Sequence, residues 1–301
     1  MFNIKIIFSI IFLIGVPISL GAQQTTNQNL TGPYLGQELP DNNPRIFAPG
    51  IVSTDMYNHS SISISPDGKT IYWAMAPLDT PRRIYYSSIQ NDGLWSQPKI
   101  IRFTLSEDGD CPVLSFDGNK MYFNSNRPTD EGGIRRERIW CVDFVDGEWG
   151  NPYPLGNEIN GQHLHWQISI DKSGSIYFGS ERSGSKGKDD IFYSRYSNNN
   201  HLKPISLEDN INSIEHESTP YVDPSGEYLM FCRDGLWISF RDSDNNWSKA
   251  IKMGDSFDGI CPYVSPDGKY LFFLKMGRGF NDIYWVSASI IEQLKKNLRN
   301  N

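Results

Sequence analysis

The feature that most constrains this chain is a turn that recurs five times. Ser65-Pro66-Asp67-Gly68, Ser115-Phe116-Asp117-Gly118, Asp171-Lys172-Ser173-Gly174, Asp223-Pro224-Ser225-Gly226 and Ser265-Pro266-Asp267-Gly268 set their glycines 50, 56, 52 and 42 residues apart. Each turn follows a short alternating segment and precedes an aromatic-rich one: Ile71-Tyr72-Trp73, Met121-Tyr122-Phe123, Ile176-Tyr177-Phe178, Leu229-Met230-Phe231 and Leu271-Phe272-Phe273. Proline at the second turn position presets φ, and glycine at the last accepts a positive φ, so the motif is a tight hairpin. A third strand follows in every repeat, typified by Arg83-Ile84-Tyr85 and Asp282-Ile283-Tyr284, and four repeats continue into a fourth, opened by Trp95, Trp149, Leu202 or Trp247. Four antiparallel strands in a unit of roughly 40–55 residues define a β-propeller blade. One blade cannot bury both its faces, whereas a closed ring of blades can. The expected fold class is therefore all-β, a β-propeller of five four-stranded blades, with six as the alternative if residues 31–57 form more than one strand.

The fifth repeat stops after its third strand, so its fourth must come from elsewhere. Phe47-Ala48-Pro49-Gly50-Ile51-Val52 has the aromatic–proline–aliphatic character of the other fourth strands and precedes the first repeat by a similar interval. This N-terminal segment is expected to complete the last blade, removing two exposed edges at once.

Residues 1–22 read as a secretory signal, with Lys5 as the positive start, Ile6 to Ile14 as the apolar run and Pro17 to Ala22 as the small-residue exit. The organisation expected is a signal peptide over 1–22, a leader segment over 23–44, the propeller over 45–288 and a short helical tail over 289–301. The mature chain has no membrane span in this reading and is exported, periplasmic or extracellular. The four cysteines (Cys111, Cys141, Cys232, Cys261) are scattered through apolar runs, as expected of buried small hydrophobes rather than a disulfide framework. The formal net charge is -7, and no local basic patch offsets it, which excludes nucleic acid as a partner.

Ser65 to Lys69, Ser265 to Lys269, Asp190 to Phe192 and Asp282 to Tyr284 resemble the TolB-type β-propeller repeat, with its Ser-Pro-Asp-Gly-Lys turn and Asp-Ile-Tyr third strand. The likeness covers about residues 45–288. Tyr34-Leu35-Gly36-Gln37 is similar to the Tyr-x-Gly-Gln leader of exported bacterial proteins of that family. The resemblance implies an exported propeller and leaves function open, because propellers host binding, scaffolding and catalysis alike.

Aligned on the turn glycines, the segments leading into each innermost strand are rich in polar groups. They are Tyr57, Asn58 and His59; Glu107, Asp108 and Asp110; Gln162, His163, His165 and Trp166; Glu215, His216 and Glu217; and Asp258. Four of the five histidines fall at this one offset. In a propeller these segments gather around one channel mouth. Imidazoles and carboxylates there make either a ligand site or the polar lining of a wet channel. His163, His165, His216 and Glu217 are the candidate ligands of a divalent metal (zinc, manganese or calcium), with no certain cofactor. Asp108-Gly109-Asp110 could contribute oxygens to calcium. Arg127, Arg182 and Arg233 could clamp an anion or pair with turn aspartates such as Asp117.

The function expected is binding of a protein or a cell-envelope or carbohydrate ligand at the channel mouth, through His59, Asp108, Asp110, His163, His165, His216, Glu217, Asp258, Arg127 and Arg182. The alternative is a metal-assisted lyase or hydrolase of oligosaccharides, with His163, His165 and Tyr57 as candidate catalytic groups. His163, His165, His216 and Gln162 or Gln167 are similar in kind to the three histidines and glutamine of propeller oligogalacturonate lyases. The signal reading has a direct check. Mass spectrometry of protein recovered from outside the cytoplasm should find an N-terminus at Gln23, and retention of residues 1–22 would overturn it.

Overall fold

A computed structural model describes residues 30–129, 135–162, 165–277 and 281–300. Its five main antiparallel sheets are the five expected blades. Their innermost strands are Ser63–Ile64 (preceded by Tyr57–Asn58 on the same partner), Asp110–Leu114, His165–Ile170, Ser218–Val222 and Ile260–Val264. Second strands follow at Thr70–Ala76, Lys120–Ser125, Ile176–Ser180, Tyr228–Cys232 and Tyr270–Met276, and third strands at Arg83–Ser88, Arg138–Val145, Asp190–Ser194, Leu236–Phe240 and Asn281–Ser287. Fourth strands are only two residues long, as at Lys99–Ile100 and Ile251–Lys252. The hairpin glycines have φ between +71° and +85°, where a Cβ would be strained, and each Ser or Asp side chain of the turn caps backbone N–H groups within it.

The second strands explain why the repeats read as continuous apolar runs rather than as alternating ones. Successive side chains point to opposite faces of a sheet, and here both faces are covered. Met121 and Phe123 pack toward the first blade while Tyr122 packs toward the third. Ile176 and Phe178 pack backward while Tyr177 packs forward. The hydrophobic core is consequently five separate clusters, one between each pair of adjacent blades.

Hydrogen bonds reinforce these contacts at one recurring position, five residues before the turn glycine. Ser63 Oγ accepts from Leu114 N–H (3.2 Å), Ser169 Oγ accepts from Val222 N–H (2.9 Å) and Tyr263 Oη accepts from Ile64 N–H (2.9 Å). Tyr221 Oη donates to Val264 O (3.4 Å). The second blade has Val113 at this place, and it packs against the apolar cluster shared with the third.

The N-terminal segment does complete the last blade, in a different register from that expected. The added strand is Arg45–Ile46, opposite Trp285 and Tyr284, and Phe47 N–H donates to Ile283 O (2.7 Å). Ile101, Leu155, Leu207 and Met253 make the equivalent bond in the other blades. Three residues before this donor the first three blades carry Pro98, Pro152 and Pro204, so the matching proline is Pro44, not Pro49. Pro49 lies beyond the strand, where Ala48 at φ 44° turns the chain and its carbonyl receives the N–H groups of Ile51 and Val52. The fully buried Phe47 ring stands 5.1 Å from both Phe272 and Trp285.

Residues 30–44 are tied down as well. Tyr34 Oη donates to Asp267 (2.7 Å), Trp95 Nε1 donates to Gly32 O (2.8 Å), and a Cβ on Gly36 would lie 2.4 Å from Thr31 O. The C-terminal helix, Ser289–Asn300, lays Ile291 and Leu294 against the cluster between the fourth and fifth blades. The four cysteines are buried free thiols. Replacing Phe47 by alanine should cost about 3–5 kcal/mol, the range for emptying a core aromatic site. Urea denaturation checks this, and a loss below about 1 kcal/mol would contradict the closure role given to this ring.

Candidate functional site

Strand direction gives the ring two unlike mouths. At the upper mouth, where the innermost strands begin, the loops between second and third strands also return. Gly109 N–H bonds Arg82 O (3.0 Å), Glu217 N–H bonds Asp189 O (2.8 Å) and Asn281 Nδ2 bonds Asn58 O (3.2 Å). At the lower mouth lie the five glycine turns.

The upper mouth is polar and cross-linked by charge. Arg82 is its centre. Its backbone N–H and Nε donate to Asp108 Oδ1 (3.0 and 3.2 Å), Nη2 to Asp108 Oδ2 (2.9 Å) and Nη1 to Asp110 Oδ2 (2.9 Å). Glu137 Oε1 is 3.6 Å from Nη1, and His59 Nδ1 is 3.8 Å from Asp110 Oδ2. Asp108 and Asp110 are buried, so the guanidinium supplies the charge that makes their burial tolerable. Desolvation holds the Glu137 carboxyl above the usual carboxylate range against the pull of Arg82, and Asp110 and Asp108 add to the rise.

The other candidates are distributed around this mouth. His216 Nδ1 is 2.9 Å from Asp189 Oδ2. Glu217 is fully buried and accepts from Ser213 Oγ and Arg233 Nε, both at 2.6 Å. Tyr57 is half-buried opposite Ala76, and Asp258 is exposed. His165 opens its strand opposite Gly179, and His163 lies outside the described residues. Gln162 is exposed, whereas Gln167 is buried and donates to Pro262 O (3.1 Å). Among the described residues, no group of three or more His, Cys, Asp or Glu side chains is gathered in a way that could hold a metal ion.

Arg127, Arg182 and Arg233 share one role in three consecutive blades. Each guanidinium lies over the aromatic ring of its own second strand, Phe123 (4.9 Å), Phe178 (4.5 Å) or Phe231 (5.3 Å), and near a third-strand ring, Trp140, Phe192 or Trp237. Each donates to carbonyls of the segment entering the blade. Arg127 takes Phe103 O and Asp108 O, Arg182 takes Glu158 O and Ile159 O, and Arg233 takes Ile211 O. They staple the inter-blade connections. Asp117, offered as a partner for such arginines, instead receives Ser115 Oγ (2.6 Å) and Asn119 N–H (3.1 Å). The Asp108-Gly109-Asp110 oxygens, considered for calcium, are engaged by Arg82. Ser183 to Lys188, between the second and third strands of the third blade, is docked through Lys188 N–H to Glu215 O (3.3 Å).

The lower mouth opens into a cavity of about 480 Å³ on the propeller axis, lined by residues of all five innermost strands and turns. Ile62, Leu114, Ile168 and Ile170 are among its lining residues, and the exposed Phe116 and Lys172 stand at its rim. Sequence reasoning missed this cavity because most of its lining is aliphatic residues, prolines and serines of the inner strands and turns. It also missed Arg82, Glu137 and Asp189, which do leave a signal: each immediately precedes a third strand and so returns to the upper mouth.

No family model and no curated protein matches the chain. Solved structures do. TolB from Acinetobacter baumannii is similar with a TM-score of 0.52 at 16% identity, over 79% of this chain and 53% of that one, so the chain spans about half its length. A gluconolactonase from Xanthomonas campestris gives a TM-score of 0.46 at 11% identity over 83% and 97% of the two chains. A puromycin-hydrolysing peptidase from Mycobacterium tuberculosis gives 0.43 at 14% identity over 71% and 34%. The architecture thus defines a five-bladed β-propeller, and its likeness is to the TolB-like fold. At these identities the likeness is one of fold.

The Glu137 environment sets a pH dependence. A carboxyl with a raised folded-state pKa contributes stability below its unfolded value, and this is lost as pH rises through the folded value. Stability of the native chain relative to Glu137→Gln should therefore fall as pH rises above about 4, the unfolded value, and through the raised folded-state value. Urea midpoints of the two proteins check this, and a pH-independent difference would remove the desolvation account.

Proposed function

We propose that this protein is an exported binding propeller that receives part of a partner protein or a cell-envelope molecule in its central cavity, through the lower mouth. The observation that carries this reading is the axial cavity of about 480 Å³ with walls from every blade, a size and placement typical of a preformed ligand site. The upper mouth supports it less well, since its buried carboxylates already have partners in Arg82 and Arg233. Export rests on the signal character of residues 1–22. No helix among the described residues is long and apolar enough to cross a membrane.

The wall also bears on ligand type. Its exposed atoms are mostly carbon, and a sugar's hydroxyls would lose more hydrogen bonds there than they gain, so an apolar group fits better than a carbohydrate. A photo-crosslinking side chain placed at Phe116 should capture a ligand in the producing cell. The same group at Leu202, on the outer edge of the third blade, should not. Capture from His59 alone would move the site to the upper mouth, and capture from neither mouth would overturn the binding reading.

A further inference from the structure

Five polar groups of the axial cavity wall are engaged by backbone of other blades. Ser63 Oγ, Ser169 Oγ and Tyr263 Oη accept from backbone N–H groups of neighbouring blades, and Tyr221 Oη and Gln167 Nε2 donate to backbone carbonyls. Water against the apolar part of the wall lacks the two to four partners that hold an ordered molecule, and an apolar group displaces such water favourably.

The rim adds a sign. Among the described residues Lys172 is the one basic residue lining the cavity, and its Nζ stands 5.8 Å from the centre of the Phe116 ring. Its backbone N–H donates to Pro224 O (2.9 Å), which fixes the turn that carries it. Among the described residues no ion pair to Lys172 occurs, and the one acid lining the cavity, Asp223, accepts from Ser225 N–H and Oγ. A mainly apolar hole with a cation outside any ion pair at its opening is complementary to an amphipathic anion.

We infer that the lower cavity binds a carboxylate with an unbranched apolar tail, the tail inside and the acid group at Lys172. At roughly 30 Å³ per non-hydrogen atom, the share of a water molecule in the liquid, and allowing for imperfect filling, the cavity takes a tail of about a dozen atoms. This rests on the binding reading above and names the ligand class for that site.

The test uses the mature protein and a fluorescent probe, dansylaminoundecanoate, displaced by dodecanoate or by dodecanol. Dodecanoate should displace the probe at micromolar concentrations and at least tenfold better than dodecanol. Lys172→Met should weaken dodecanoate about tenfold and leave dodecanol within about twofold, since a point charge at the rim acts on the head group alone. Lys99→Met, an exposed lysine on an outer strand, should change neither. Leu114→Trp should block both ligands by filling the lumen, and the exposed Lys172 variant keeps the test decisive if that core-lining change impairs folding. Equal binding of acid and alcohol, or indifference to Lys172→Met, would overturn the anionic preference. Absence of binding by either, with crosslinking from Phe116 intact, would overturn the small-acid ligand in favour of a polypeptide and leave the binding reading standing. Absence of both signals would sink the two together.

Discussion

Every blade of this molecule is apolar on both faces, and that single constraint governs the rest. A sheet that buries one face can stand at a surface, but a sheet with Met121 and Phe123 on one side and Tyr122 on the other cannot. Each blade therefore needs two neighbours, and only a closed ring gives two neighbours to all five. Closure falls on the cluster between the last and first blades, where Phe47 fills the space beside Phe272 and Trp285. The neighbouring Tyr34 and Leu35 extend that cluster, which explains why residues 30–44 are folded onto the ring.

The difference between the mouths follows from how each blade is secured. At the upper mouth, long connections arrive from the periphery and must be fastened. Arginines do this by stacking on an aromatic ring while donating to carbonyls, a combination that their planar, delocalised charge permits and lysine would not. Carboxylates collect there because guanidinium groups are present to balance them. At the lower mouth the connections are four-residue turns that satisfy their own backbone groups. Charged fastening is sparse there, as where Arg241 Nε donates to Gly226 O (2.9 Å), the innermost strands bond directly to one another, and the axial lumen is left lined mostly with carbon.

Much of the fold was legible in sequence because hairpin chemistry and strand periodicity are local. The turn glycines, the aromatic second strands and the absence of a fourth strand in the fifth repeat were enough to specify five blades and closure through the N-terminus. The register of closure was misplaced by five residues, since Pro44 and Pro49 both precede apolar positions and only the bond from Phe47 to Ile283 distinguishes them. The site was less legible. Alignment on the turns brought out His59, Asp108, Asp110 and His216 because their residue types are conspicuous, but partners supplied by other strands decide what such groups do. Asp108 and Asp110 proved to be held by Arg82, and Glu217 by Arg233. The cavity was invisible for the opposite reason: isoleucine, leucine and serine on an inner strand look the same whether they face a neighbour or a void.

The shared fifth blade carries a kinetic consequence. Arg45 and Ile46 find their places only against Tyr284 and Trp285, a sequence separation that spans nearly the whole domain, and contacts of such high order form late. A chain released gradually from a ribosome or a translocation channel would hold four blades' worth of material with both terminal edges still open until its final strand emerged. Cooperative assembly of the ring is thus deferred until both ends of the domain are available to the same blade.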